Sequence, residues 1–280
     1  FTLPDAARVF GLKAAMPPTP QELANAYISV GTDGSVTLMF GGSEMGQGAK
    51  TGLAQILAEE LAVDWIQVKV LQSPVDAIVT YITGGSSAVS GRYNTLRTAG
   101  AAARESLVAA AMLITGNTTR ANYVAASGMV TFTNPSTLAK STWLYKDLAA
   151  NAGSTAAQAL VPNPPPLTDP GKFQIIGKPI QRVDIPSKVD GSAQFGIDIW
   201  FADMLFAAIK HCPVFGGTFV SASKPSGAIA VVPCKASDNR GSVVAGSVNA
   251  VAVVANNTWT AKNLAKSLSV QWNLPPSTAS

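Results

Sequence analysis

Between residues 26 and 40 (AYISVGTDGSVTLMF) apolar and polar side chains alternate on either side of Thr32, Asp33 and Gly34. A period of two broken by Asp-Gly predicts a β-hairpin. The period then changes. In residues 50–63 (KTGLAQILAEELAV), Leu53, Ile56, Leu57 and Leu61 recur at helical spacing. That predicts an amphipathic helix whose solvated side carries Glu59 and Glu60. Residues 66–71 (IQVKVL) predict a strand, and an alanine-rich stretch from 93 to 114 predicts a long helix. Residues 124–133 predict a second hairpin around Ser127 and Gly128, and 142–152 a short helix.

Two loops of small residues lie between these elements, FGGSEMGQGAKT at 40–51 and TGGSSAVSG at 83–91. The first part of the chain therefore reads strand, glycine loop, helix, strand, Gly/Ser loop, helix. Glycine loses more backbone freedom on folding than any other residue, so such density needs a reason. One reason is chemical: a strand–loop–helix junction offers free backbone N–H groups to an anion at the helix N-terminus. Gln47 adds an amide with donors and an acceptor, suited to the edge of a heterocycle. Two such loops suit a ligand with two polar ends. The other reason is a tight turn with no ligand, and on composition alone it explains the first loop better. Neither familiar phosphate motif is present: Ala49 follows Gly48 where GxxxxGK-Ser/Thr needs another spacing, and GxGxxG is missing.

Residues 1–24 are proline-rich and aperiodic and read as an N-terminal arm. Residues 25–158 hold both loops. ALVPNPPPLTDP at 159–170 reads as a linker between domains. Beyond it, 171–280 reads as an α+β domain, with strands at 194–199, 205–210, 228–232, 248–255 and 267–272 and a helix at 258–266.

Composition narrows the partners. Charged residues make up 13% of the 280, against roughly 25% in ordinary soluble domains. Either the surface is rich in small polar residues or another chain covers part of it. The net charge of +4 is spread without any run of Lys or Arg, which argues against a nucleic-acid groove. No stretch approaches the roughly 18 apolar residues of a membrane span. A first residue Phe1 in place of Met reads as a processed or trimmed product. Cys212 and Cys234 are too few for a disulfide framework or an iron–sulfur cluster, and spacing leaves their pairing open. His211, the single histidine, stands beside Cys212 in HCPVFGG. One His and one Cys make too thin a metal site, so both read first as structural, with a place near a substrate funnel as the alternative for Cys212.

The motifs taken together carry more. GGSEMGQG followed by TGLAQILAEEL, then TGGSSAVSG, RYNTLRTAGAAAR, FQIIGKPIQRVDIPSKVDGSAQFGIDI, HCPVFGG and VAVVANNTWTAKNLAKSLSVQWN occur in one order from about Ala26 onward. This series resembles the molybdenum-binding subunit of the xanthine dehydrogenase/aldehyde oxidase family, in its isoquinoline oxidoreductase branch. The resemblance implies an α+β fold: part of a molybdopterin-binding domain followed by an α/β hammerhead-like domain, in the permuted order of that branch. It implies molybdopterin with molybdenum as cofactor, either bare or as the cytosine dinucleotide. Gly42, Met45, Gly46, Gln47 and Gly48 would meet its pterin and pyrophosphate, and Gly85, Ser86, Ser87 and Ser90 its other polar edge. No residue of this chain is expected to ligate the metal directly.

The family's GGGFGRR-like loop and its GxGE segment, which carries the general-base glutamate, are not found. The resemblance therefore implies the N-terminal half of a catalytic subunit, with the general base on a chain carrying the C-terminal half. Glu44, in the first loop, reads as a brace for the turn. Further implied partners are an iron–sulfur subunit holding 2Fe-2S clusters, a cytochrome c and a small-molecule substrate, after twin-arginine export to the periplasm or to the periplasmic side of the membrane. The implied reaction is hydroxylation of an N-heteroaromatic or an aldehyde with oxygen from water. Two other classes compete: a non-catalytic assembly scaffold, against which the intact loops argue, and an unrelated hydrolase, for which no GxSxG elbow exists.

Overall fold

Alternation and turn chemistry show their effect first in the N-terminal sheet. The computed structural model describes residues 23–24, 27–73, 82–234 and 248–276. The expected arm at 1–24 lies almost wholly outside the described residues. Strands β1 (Leu23–Ala24), β2 (Ile28–Val30), β3 (Val36–Phe40) and β4 (Val68–Gln72) form a sheet in that order. β2 and β3 are the predicted antiparallel hairpin, with Gly34 at φ 92° in its turn. β4 runs parallel to β3, which requires a crossover. Helix α1 (Ala49–Leu61) supplies it.

Helix α2 (Tyr93–Thr115) packs along α1. A Cβ placed on Gly100 of α2 would stand 2.7 Å from the Glu60 Cβ and 2.9 Å from the Leu57 carbonyl oxygen. Only a bare glycine permits so close an approach. Leu38, Leu57, Leu61 and Leu107 are fully buried between sheet and helices, each contributing about 1.5–3 kcal/mol of transfer free energy. Strands β5 (Tyr123–Ala126), β6 (Met129–Thr133) and β7 (Lys140–Leu144) form a meander. The β5–β6 turn places Ser127 and Gly128 at φ 48° and 74°, the left-handed pair that a two-residue hairpin favours. The helix expected from residue 142 begins later: 142–144 belong to β7, and α3 runs Tyr145–Ala152. The short α4 (Thr155–Gln158) follows, with Ser154 accepting the Ala157 N–H at 3.2 Å.

The largest departure from the sequence pattern concerns Glu59 and Glu60. They are 6% and 0% exposed, not solvated. Glu60 accepts from Arg97 Nε at 2.6 Å and from the Thr168 N–H at 2.9 Å, and lies 3.5 Å from Arg104. Arg104 also donates to Glu105, which Arg120 holds through two bonds of 2.6 and 3.0 Å. Burial pushes the Glu105 carboxyl up, but the two arginines outweigh it and hold it below its ordinary value. Through Arg97 and Arg104, whose side chains are nearly buried, Glu60 ties α2 to α1, and the half-buried Arg120 completes the pairing of Glu105.

They also fasten the proline-rich stretch. Arg104 donates to the Pro166 carbonyl and Arg97 to the Thr168 carbonyl. Glu59 receives the backbone N–H groups of Gln174, Ile175 and Ile176, at 2.6–3.1 Å. Residues 159–170 are thus held against the first domain. The first compact unit runs on through the short helix α5 (Ile185–Val189) to Ala193. The second spans 194–280.

In the second unit β8 (Phe206–His211), β10 (Ala230–Cys234) and β11 (Ala250–Ala255) form an antiparallel sheet in the order β10-β11-β8. β9 (Thr218–Ala222), which the pattern did not predict, pairs with β12 (Val270–Asn273). Helix α6 (Thr258–Ser267), capped by Asn257, packs on β8 and β11 over Val251, Val253, Ala265 and Leu268. The strand expected at 194–199 is instead a 3-10 turn, because the Asp198 carboxylate accepts the Phe195 N–H at 2.9 Å. Cys212 and Cys234 are both free thiols. The architecture is α+β, as expected. Among the described residues no helix is long and apolar enough to cross a membrane.

Candidate functional site

The glycine loop leaves β3 at Phe40 and is fixed before it reaches α1. Gln72, the last residue of β4, donates its side-chain amide to the carbonyls of Phe40 (2.9 Å) and Gly42 (3.0 Å). Glu44 then turns back beneath the loop. Its carboxylate accepts the N–H groups of Gly46 (2.8 Å), Gly48 (3.0 Å) and Lys50 (3.0 Å). Burial raises the Glu44 carboxyl, but these amides and Arg182 more than offset that and hold it below its ordinary value. The anion position at the start of α1 is therefore filled by the chain's own carboxylate. Glu44 braces the turn, as its place in the loop suggests. The amides that remain unused by Glu44 are the intervening ones, at Gln47 and Ala49.

Gln47 also departs from the simplest expectation. Its Oε1 accepts the Met45 N–H at 2.6 Å and its Nε2 donates to the Ser43 carbonyl at 2.8 Å. One N–H and one lone pair of the amide are left for anything outside. Met45 is 73% exposed at the tip. Gly46 and Gly48 have φ 105° and 79°, which exclude most side chains, and a Cβ on either would meet nothing within 4 Å.

The second loop lies against the first. Thr83 Oγ1 accepts the Ser43 N–H at 2.8 Å, and Val89 reaches to within 4.0 Å of the Cβ position of Gly52 in α1. Gly85 and Ser86 are left-handed at φ 63° and 54°. Ser87 donates to the Gly84 carbonyl at 3.3 Å and accepts the Gly91 N–H through its own carbonyl at 2.9 Å. No bond of the Ser86 or Ser90 hydroxyls is found among the described residues. A Cβ on Gly84 or Gly85 would again meet open space. Gly84 has no positive φ to justify it, so neither packing nor backbone geometry within this unit calls for glycine there.

Arg182 was not expected at this site. It stands in a strap that runs back along α1 on one helical stripe: Glu59 holds the amides of 174–176, Gln55 donates to the carbonyls of Ile175 and Lys178, and Thr51 accepts the Val183 N–H. Residues 51, 55 and 59 are four apart and share one face. At the end of the strap Arg182 donates to the Gly46 carbonyl (2.6 Å) and to Glu44 (3.3 Å). Asp184 orients its guanidinium through bonds of 3.0 and 2.7 Å, and Lys188 donates to Asp184. The Arg182 hydrogen bonds and then Lys188 hold the Asp184 carboxyl well below the usual carboxylate range. Arg182 lies within the motif FQIIGKPIQRVDIPSKVDGSAQFGIDI, but nothing in that motif signals a contact with Glu44, 138 residues away.

A concavity of about 690 Å³ lies at the other end of α1 between Asp64, Trp65, Arg120, Gln174 and Lys178. The charged groups at its base, Glu59, Arg104 and Arg120, are spent on internal partners. The loops are the stronger candidate because two glycine-rich segments meet there through Ser43 and Thr83, with the Ser86 and Ser90 hydroxyls unbonded among the described residues. Among the described residues no cluster of three or more His, Cys, Asp or Glu side chains is placed to hold a metal ion.

Comparison with known proteins bears on the same segment. A family model, the molybdopterin cofactor-binding domain, matches residues 6–188. The chain is 32% identical over 224 residues to the beta chain of isoquinoline 1-oxidoreductase from Brevundimonas diminuta, a match covering 69% of this chain and 29% of that protein. It is 28% identical over 223 residues to the membrane-bound aldehyde dehydrogenase (pyrroloquinoline-quinone) of Gluconacetobacter polyoxogenes, covering 79% and 28%. A nicotinate dehydrogenase subunit from Pseudomonas putida is 29% identical over 220 residues, covering 75% and 17%. The chain thus spans less than a third of the length of each of these relatives. The family match takes in both loops, α1, α2 and the strap with Arg182, and on it the chain belongs to the molybdopterin cofactor-binding domain family.

Proposed function

We propose that the two loops at the head of α1 hold the molybdopterin of a molybdenum hydroxylase, of which this chain supplies the N-terminal half. The observation that carries this reading is the meeting of two glycine-rich loops through Ser43 and Thr83 at the head of α1, within the segment that the family model matches. The residues fit such a group. A pterin and a pyrophosphate ask for amide donors, hydroxyls and backbone with no Cβ in the way. The loops offer the amide of the exposed Gln47, the remaining half of its side chain, the hydroxyls of Ser86, Ser87 and Ser90, and bare glycines. Met45 is exposed at the loop tip, whereas Gly42, expected to meet the cofactor, is buried with its carbonyl on Gln72. When bound, the cofactor supplies a two-electron acceptor for hydroxylation of an N-heteroaromatic or an aldehyde, with water as the oxygen source.

In this reading the chain binds and orients. The general base and most of the substrate pocket come from the C-terminal half of the catalytic subunit, and electrons leave through a 2Fe-2S subunit toward a cytochrome c. Two relatives are named as subunits, of isoquinoline 1-oxidoreductase and of nicotinate dehydrogenase, which supports partner chains in general.

The test is molybdenum and pterin content per chain in the full protein, purified with its companion chains. Gln47→Ala should lower both while far-UV circular dichroism stays unchanged. Molybdenum missing from an intact wild-type complex would sink the reading, and unchanged occupancy in Gln47→Ala would remove that side chain from the site.

A further inference from the structure

We infer that Arg182 is a positioning residue for the cofactor loop: it fixes the loop's shape and cancels the charge of Glu44 beneath an anionic ligand. This rests on the molybdopterin reading above. The geometry has two parts. Arg182 reaches the loop through two different groups, the Gly46 carbonyl at 2.6 Å and Glu44 Oε1 at 3.3 Å. Glu44 Oε1 is the same oxygen that accepts the N–H groups of Gly46 and Gly48. The guanidinium therefore closes a ring through the loop: Gly46 carbonyl to Arg182, Arg182 to Glu44, Glu44 back to the Gly46 amide. Asp184 holds the guanidinium plane from the other side, and Thr51 anchors the adjacent Val183 amide to α1. Arginine suits this task because its planar fork serves several acceptors in fixed directions, as a lysine cannot.

The second part is charge. Glu44 and Asp184 carry two negative charges, and Arg182 and Lys188 two positive ones, within one bonded group. The platform under the open face is neutral as it stands. Without Arg182 it would hold one net negative charge close to where a pyrophosphate would lie, and like charges at short range repel. Glu44 remains necessary, because it satisfies the three amides of the turn. Arg182 allows that carboxylate to sit at an anion site without opposing the anion.

The experiment uses the full protein with its companion chains and three forms: wild type, Arg182→Gln and Arg182→Lys. Hydrogen exchange of the peptide spanning 43–50, followed by mass spectrometry on cofactor-free protein, reads the loop directly. Exchange at Gly46, Gly48 and Lys50 should quicken in Arg182→Gln. Molybdenum and pterin retained after buffer exchange should fall about tenfold or more, the fold-change expected for losing a hydrogen bond between charged groups. Arg182→Lys, which keeps the charge but not the fork, should restore part of the retention; a merely structural role predicts that Lys fails as Gln does. Unchanged exchange, unchanged retention, or a Lys variant no better than Gln would each overturn the inference. If wild type itself retains no molybdenum, the cofactor reading falls, and quickened exchange in Arg182→Gln would still separate that failure from this one.

Discussion

At the N-terminal end of α1 a carboxylate, an arginine and a set of backbone amides hold a loop and leave one of its sides open. Toward the C-terminal end of the same helix, Glu59 and Glu60 meet arginines and amides too, but there the groups close on one another completely. Glu60 is buried with two arginines and the Thr168 amide, and Glu59 takes three consecutive amides of the strap. Glu44 takes alternate amides, leaving those of Gln47 and Ala49. A saturated cluster organises a core, whereas a half-saturated one shapes a surface that another molecule can finish. The glycines differ in the same way. Gly100 is bare because α1 presses on it, and Gly84 is bare with nothing near it.

Breaking the closed end should have the largest effect. Glu60→Ala would take from Arg97 its carboxylate partner and from Arg104 one of its two, both side chains being 9% exposed, and should cost about 3–5 kcal/mol in urea unfolding. A loss below about 1 kcal/mol would rank this cluster with dispensable surface pairs. Gly100→Ala comes next. Alanine is the better helix former by about 1 kcal/mol, yet its Cβ would press on the Leu57 carbonyl and the Glu60 Cβ. Net destabilisation of about 1–3 kcal/mol is expected from overpacking; a neutral or stabilised variant would mean that the helices move apart freely. Gly84→Ala should be the mildest for the fold, within about 0.5 kcal/mol. Its effect should appear as lower molybdenum content, and a stability loss like that of Gly100→Ala would assign Gly84 to the fold and away from the ligand.

Much of the local structure could be read from residue order. The hairpin at Gly34, the left-handed pair Ser127–Gly128, helices α1 and α2 and the two loops follow from periodicity and turn chemistry, which act over a few residues. The junctions fared less well. β7 took three residues expected in a helix, and 194–199 became a turn because one side chain, Asp198, captured a backbone amide that a strand would have used. The candidate site was legible as two glycine-rich loops and a bracing Glu44. That Gln47 folds half of its amide back onto the loop was not legible, since this depends on where the Ser43 carbonyl and the Met45 amide point.

By itself the sequence determined the first hairpin, the helices α1 and α2 and the two bare loops, and, through several motifs in order, the family to which they belong. Only the tertiary structure decided that Glu59 and Glu60 face inward, that the proline-rich stretch is strapped to α1, and that Arg182 reaches the loop from 138 residues beyond Glu44. The reason is the cost of burying charge. A carboxylate enters a core only where a particular set of donors meets it, and those donors are brought together by the packing of distant segments.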